Sequence, residues 1–374
     1  MRALQKSDRD RFTLHSQHIK RFIFSINASS RQFFQQLAAH FPSTPILPNL
    51  ASVMVYIVKP SKPDLELSRL FLSPTVTNLE LQLDPEADEQ PSGYQWILEG
   101  LAGEMKLPNL TSFGIRANYH SITDAGPNVS RILQSHQGIE MLDILFSRSH
   151  TVLDTLCSAA ELPHLRCFKM TDPGGYAAQR EPKILSLPLD GSFPSLESLE
   201  LSSAPDCLSY ILGRVSSYNV QNIRLKMIAQ GPPQEFEAAA GTSIVDCFRT
   251  IGGFVHLKVL DITLGVRTTW DTFQHLLGCK ELETVKIVVG WDCDLKLEES
   301  HLEQMGRDWR DLKTLHLLLV KSITPQAMCP TFAHLQVIAT DFPNLRKLMI
   351  ACDARVASNT GFSVDRAVAA QNSL

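Results

Sequence analysis

One short line, leucine-x-x-leucine-x-leucine with apolar stand-ins, recurs twelve times along the chain. The clearest copies are Leu110, Phe113 and Ile115; Leu165, Phe168 and Met170; Leu196, Leu199 and Leu201; Leu257, Leu260 and Ile262; Leu282, Val285 and Ile287; Leu312, Leu315 and Leu317; and Leu345, Leu348 and Ile350. Looser copies start at Ile19, Leu50, Val76, Ile139 and Val220. Successive starts lie 24 to 37 residues apart. A fixed line at long intervals marks stacked units, none of which can bury its own apolar side alone. Side chains alternate on a strand. The fourth and sixth residues of each line therefore share one face, and the third, fifth and seventh share the other.

The segments between the lines carry a different period. Residues 31–41, 93–105, 207–217 and 242–253 place apolar side chains three and four apart, as on a helix that buries one stripe. Strand and helix alternating in one direction imply a parallel sheet covered on its apolar side. The expected fold is therefore α/β, a leucine-rich-repeat solenoid or horseshoe with parallel strands on the concave face and helices on the convex face. Residues 1–352 are expected to form a single solenoid of about twelve units, and residues 353–374 a mobile tail without another line. Three inserts break the rhythm, at residues 84–93, 172–192 and 227–241. Each reads as a loop at the end of a strand, where binding residues tend to lie on a rigid scaffold.

Composition narrows the function. The chain has 374 residues, 44% of them hydrophobic, and a net charge of −4, so no strong basic field advertises nucleic acid. No apolar run is long enough to span a bilayer, and the charged N-terminus lacks the apolar stretch of a secretory signal. A cytoplasmic or nuclear protein is expected. The eight cysteines include no C-x-x-C pair and read as buried thiols in a reducing compartment. Sequons at Asn27, Asn109 and Asn128 then read as chance matches. No phosphate-cradling glycine loop, nucleophile elbow or zinc-protease helix motif occurs. His15 and His18 have no further ligand cluster, and Glu298 and Glu299 sit where carboxylates favour a helix start. No catalytic residue, cofactor or metal site is expected, and the chain does not read as an enzyme.

The fifth residue of each line should face away from the helices. In order these are Ile23, Met54, Glu80, Gly114, Asp143, Lys169, Glu200, Arg224, Asp261, Lys286, His316 and Met349. From Asp143 to Lys286 the signs alternate, which predicts a self-neutralising ladder across neighbouring strands. The ends of the row are less charged and better suited to hold a partner. Asp143, Lys169, Glu200, Arg224, Asp261, Lys286, His316 and Met349 are the candidate concave-face residues. A protein partner is expected on that face or on the strand-end loops, with no nucleic acid and no membrane.

The C-terminal third resembles the leucine-rich region of the F-box proteins expanded in mushroom-forming fungi. A short helix over 301–307 leads to Trp309 and then to Leu312, Leu315 and Leu317; a further helix leads to Phe342, Pro343, Leu345, Leu348 and Ile350. The opening segment, with Arg11, Phe12, Ile19 and Phe22, resembles the stretch that follows the F-box in those proteins. The resemblance implies the substrate-recognition part of an SCF-type ubiquitin ligase receptor. No F-box itself is read in this sequence, so a ligase adaptor is a partner only if an F-box lies upstream. A standalone leucine-rich-repeat binding protein with no ubiquitin role, or a leucine-rich regulator of a GTPase or nuclease, are the alternatives. The uneven repeat spacing argues against the last.

Overall fold

The computed structural model describes residues 6–41, 45–57, 70–83, 92–103, 105–117, 125–145, 152–171, 191–228, 233–265, 268–290, 297–319 and 332–350. The chain divides into two units, Met1–Leu196 and Glu197–Leu374. The first holds strands β1 (Arg21–Ile26), β2 (Ser52–Ile57), β3 (Asn78–Leu83), β4 (Ser112–Ala117), β5 (Met141–Leu145) and β6 (Cys167–Thr171). Its helices are α1 (Lys6–Ser16), α2 (Ala28–His40), α3 (Ser92–Gly103), α4 (Ala125–Ser135) and α5 (Val152–Ala160). The second holds β7 (Ser198–Ser203), β8 (Asn222–Met227), β9 (Val259–Leu264), β10 (Thr284–Val289), β11 (Thr314–Leu319) and β12 (Lys347–Ile350). Its helices are α6 (Pro205–Leu212), α7 (Pro233–Gly252), α8 (Trp270–Phe273, continued by a 3-10 turn over Gln274–Gly278), α9 (Glu299–Asp308) and α10 (Phe332–Asp341).

Each line becomes one strand, and every described pairing is parallel between sequence neighbours. The register aligns line with line. Phe22, Val53, Leu79, Phe113, Leu142 and Phe168 stand opposite one another in the first unit. Leu199, Ile223, Leu260, Val285, Leu315 and Leu348 do so in the second. Parallel neighbours need crossovers, and right-handed crossovers taken in sequence order bring the connecting helices to one face of the sheet. This is the expected α/β leucine-rich-repeat arrangement, present in each unit.

A repeated turn delivers each line to its strand. In most repeats the N–H of the first line residue bonds back to the carbonyl three residues earlier: Leu50 to Leu47, Leu110 to Leu107, Leu257 to Phe254, Leu312 to Trp309 and Leu345 to Phe342. The residue at that earlier position is usually large, apolar and buried, Trp309 included. Pro48, Pro74, Pro108 and Pro343 follow it in the sequence, at the second turn position that proline's fixed φ suits. The carbonyl of the second line residue then accepts two N–H groups of the next strand. Lys20, Ala51, Thr77, Thr111 and Glu140 do this in the first unit; Glu197, Gln221, Lys258, Glu283 and Lys313 do it in the second. That double bond repeats the same register at each step.

The helices supply the other wall of the core. Val129, Ile132 and Leu133 of α4 are buried, as are Leu208, Ile211 and Leu212 of α6 and Ile244, Cys247, Phe248 and Ile251 of α7. These three- and four-residue steps form one apolar stripe per helix. At Gly306 of α9 an added Cβ would lie 2.7 Å from both Cβ and the carbonyl oxygen of Asp341, so only glycine lets α10 come this close. In the first unit Phe22, Phe24, Phe34 and Phe71 form one aromatic cluster, with ring centroids 4.6 to 5.6 Å apart.

One expectation fails. Residues 227–241 were read as a loop, but α7 starts at Pro233 and runs without a break to Gly252. Proline is favoured in the first helical turn, and the Glu-Phe-Glu-Ala-Ala-Ala run after it has high helix propensity. The punctuation therefore marks a helix start and not a loop interior. Residues 84–91 and 172–190 of the other two inserts, and the tail at 353–374, lie outside the described residues.

Candidate functional site

The face of each sheet that carries no helix is built from the third, fifth and seventh line residues. They alternate with the fourth and sixth, which are buried in the strands between the two ends, whereas in β12 Leu348 is exposed and Ile350 half-buried; most of the third, fifth and seventh residues are half-buried or exposed. In the first unit Asp143 lies opposite Lys169 across β5 and β6. In the second, Glu200, Arg224, Asp261, Lys286, His316 and Met349 follow one another in register across β7 to β12. Two of these neighbours are joined as ion pairs, Lys286 with Asp261 at 3.0 Å and Arg224 with Glu200 at 3.8 Å. Arg224 also faces Asp261 in register. Its ion pair among the described residues goes to Glu200.

One functional residue was missed by reading fifth positions alone. Gly114 occupies that position on β4, between Glu80 and Asp143. Arg116, two residues further along β4, leans into the space and joins both acids, at 3.3 Å to Glu80 and 2.9 Å to Asp143. The hydrogen bond to Asp143, with both carboxylates nearby, pushes the guanidinium pKa above its ordinary value despite partial burial. Alternation therefore begins at Glu80, through an arginine out of register. The available signal was the glycine itself, which leaves room that a long cation on the same strand can fill. A Cβ at Gly114 would sit 3.3 Å from Cγ of Glu80.

A second row lies where the chain enters the strands. Lys313 pairs with Glu283 at 2.7 Å, and this bond holds the Glu283 carboxyl below its usual range. Two residues earlier in the repeat, polar side chains reach back to the preceding turn. Asn49 donates to the Gln17 carbonyl, Asn109 to Pro74, Ser195 to Pro163 and Asn344 to Arg310, at 2.6 to 2.9 Å. The same geometry explains a sequon, because the Asn109 amide is engaged in joining two repeats. Asn128 is buried, and the Asn27 side-chain oxygen accepts from the Ser30 N–H at the start of α2.

The ends of the face differ from its middle. At the first, Ile23 is 51% exposed beside Met54 and Tyr56. At the last, Met349 is 45% exposed beside His316. The His316 Nε2 is shut off from solvent without a hydrogen-bond partner among the described residues. Burial, then Lys347 and Lys286, hold this imidazole below its ordinary pKa, while Asp261 opposes them.

Among the described residues no group of three or more His, Cys, Asp or Glu is placed to hold a metal ion. No helix there is long and apolar enough to cross a membrane. Cys247 and Cys279 are buried, and burial pushes each thiol up to about 12, so neither supplies a thiolate nucleophile near neutrality. Cys157 and Cys167 are only half-buried, and Cys293, Cys329 and Cys352 lie outside the described residues.

No family model matches the chain, and no curated protein matches it. Solved structures do match, among them a crystal structure of a TLR13–ssRNA13 complex, at 11% identity and a TM-score of 0.38 over 90% of this chain and 52% of that one. The chain thus spans about half the length of that structure. The fold assignment rests on this chain's own strands: twelve lines, twelve parallel strands, and one register repeated within each unit.

Proposed function

We propose that this chain is a protein-interaction scaffold that binds through the helix-free faces of its sheets. The observation that carries the reading is the face itself. It is a set of charged and apolar side chains held at fixed spacing on strands whose register is set by repeated backbone bonds. Its charges are largely neutralised by one another, as Arg116 is by Glu80 and Asp143. Such a surface discriminates partners by complementary charge order and shape, and a catalytic constellation is absent among the described residues.

The finer reading is a substrate-recognition part of an SCF-type F-box ubiquitin ligase receptor. It rests on the resemblance of the Trp309 and Pro343 repeats, both of which the turn geometry explains structurally as well. Crosslinking capture from cells tests both levels. The parent chain is compared with a variant carrying Arg116→Glu and Lys286→Glu, with equal folding checked by thermal unfolding. Proteins retained by the parent and lost by the variant support the scaffold reading; identical captures overturn it. The ligase reading further expects a chain extended upstream to co-purify with the ligase adaptor and captured partners to accumulate when the chain is depleted. Partners whose turnover is indifferent to the chain overturn the ligase role and leave a standalone scaffold.

A further inference from the structure

The last three strands of the second unit carry an imbalance that the rest of its face does not. On β10 to β12 and their entry residues the cations are Lys286, Lys313, Arg346 and Lys347, and the one acid is Glu283. Lys313 is occupied by Glu283 and Lys286 by Asp261 of β9. Arg346 and Lys347 are exposed and make no ion pair among the described residues. This surplus stands on a chain whose net charge is −4. Directly beside it, Val288 faces Leu318 in register, and Met349 continues the row of Lys286 and His316.

We infer that this end of the face docks an extended acidic peptide segment, with carboxylates against Lys347 and Arg346 and an apolar side chain against Met349, Leu318 and Val288. The inference rests on the scaffold reading and names the partner chemistry at one place on it. Charge complementarity selects the occupant: two cations without an ion pair among the described residues attract acids, while the apolar neighbours favour a side chain that is not charged. A nucleic acid strand is a poorer fit. It needs a longer cationic stripe and aromatic platforms for its bases, and the described strand positions here carry no phenylalanine, tyrosine or tryptophan.

The spacing defines a probe. Alternate residues of an extended peptide face the same way. The sequence Glu-Ser-Leu-Ser-Glu-Ser-Leu-Ser-Glu therefore presents acids and leucines together on one side. Fluorescein-labelled, it is titrated with the full chain and followed by anisotropy. Saturable binding is expected. Lys347→Glu, or Arg346→Glu if that variant fails to fold, should weaken it about tenfold or more. Met349→Ser should weaken it about fivefold. A peptide with serine in place of leucine should bind less well than the probe, and Lys20→Glu in the first unit should leave binding unchanged. The proposal falls if the parent shows no saturable binding, if the Lys347 and Met349 variants bind like the parent, or if single-stranded oligouridylate displaces the peptide at lower concentration than unlabelled peptide does. If the probe fails while face-dependent capture by Arg116 and Lys286 persists, the scaffold reading stands and only this placement is lost. If both fail, both readings fall.

Discussion

The two units solve one electrostatic problem in different ways. In the first, a glycine interrupts the row and Arg116 reaches across from the next face position to tie Glu80 to Asp143. In the second, charges meet in register, Glu200 with Arg224 and Asp261 with Lys286, and the row ends beside Arg346 and Lys347, which make no ion pair among the described residues. One cation held by two carboxylates is fixed from both sides. A cation 3.8 Å from a single acid and largely in solvent is held weakly. Sign order along a sequence thus states which contacts are allowed. Side-chain length and local room decide which of them form.

The comparison should vanish in the core and reappear on the face. Leu142→Ala in the first unit and Leu260→Ala in the second each remove a buried inward side chain, and each should cost about 2–5 kcal/mol by chemical denaturation. Asp261→Ala, one position from Leu260 on the opposite face, should cost far less. If Leu260→Ala and Asp261→Ala lose stability alike, the assignment of faces is wrong. On the face itself, Arg116→Met strands two carboxylates on either side of Gly114. A loss of about 1 kcal/mol at low salt is expected, shrinking as salt rises. Arg224→Met should lose less, about 0.5 kcal/mol or below. An equal or larger loss at Arg224 would erase the distinction between the two units.

The smallest effect concerns pH. The face positions of the first unit carry no histidine, whereas His316 sits in the second with its pKa lowered from 6.5 by burial and by Lys347 and Lys286. The folded chain therefore resists protonating it. Stability is kept above pH 6.5, where the ring is neutral in both states, and declines as pH falls through that value toward the lower folded one. The thermal midpoint of the parent relative to His316→Gln should fall slightly between pH 7.5 and 5, less so at high salt. A parent and variant with parallel pH profiles would remove His316 from the account.

The sequence was most legible where a structural requirement recurs. Twelve lines predicted twelve strands because each unit must bury apolar side chains at the same places in its line, whereas the bonds of Asn49, Asn109, Ser195 and Asn344 to the previous turn emerged only from the structure. Legibility failed where one segment could satisfy two rules. Residues 227–241 carry turn punctuation and strong helix formers together, and the helix prevailed because the apolar stripe from Ile244 to Ile251 continues its period. The double ion pair of Arg116 was hidden for a related reason. A reading of one position per strand cannot see a side chain that crosses to the neighbouring position.

By itself, then, the amino-acid order determined the parallel repeat, the inward and outward faces and the order of charges on the outward one. These follow from alternation on a strand and from the need to bury apolar surface, both of which are local. Only the tertiary structure decided that the space at Gly114 would be filled by Arg116, that Arg224 would pair with Glu200 and not with Asp261, and that His316 Nε2 would be shut off from solvent between Lys286 and Met349. Those outcomes depend on distances of a few ångströms between residues 24 to 36 apart in sequence, and no spacing along the chain encodes them.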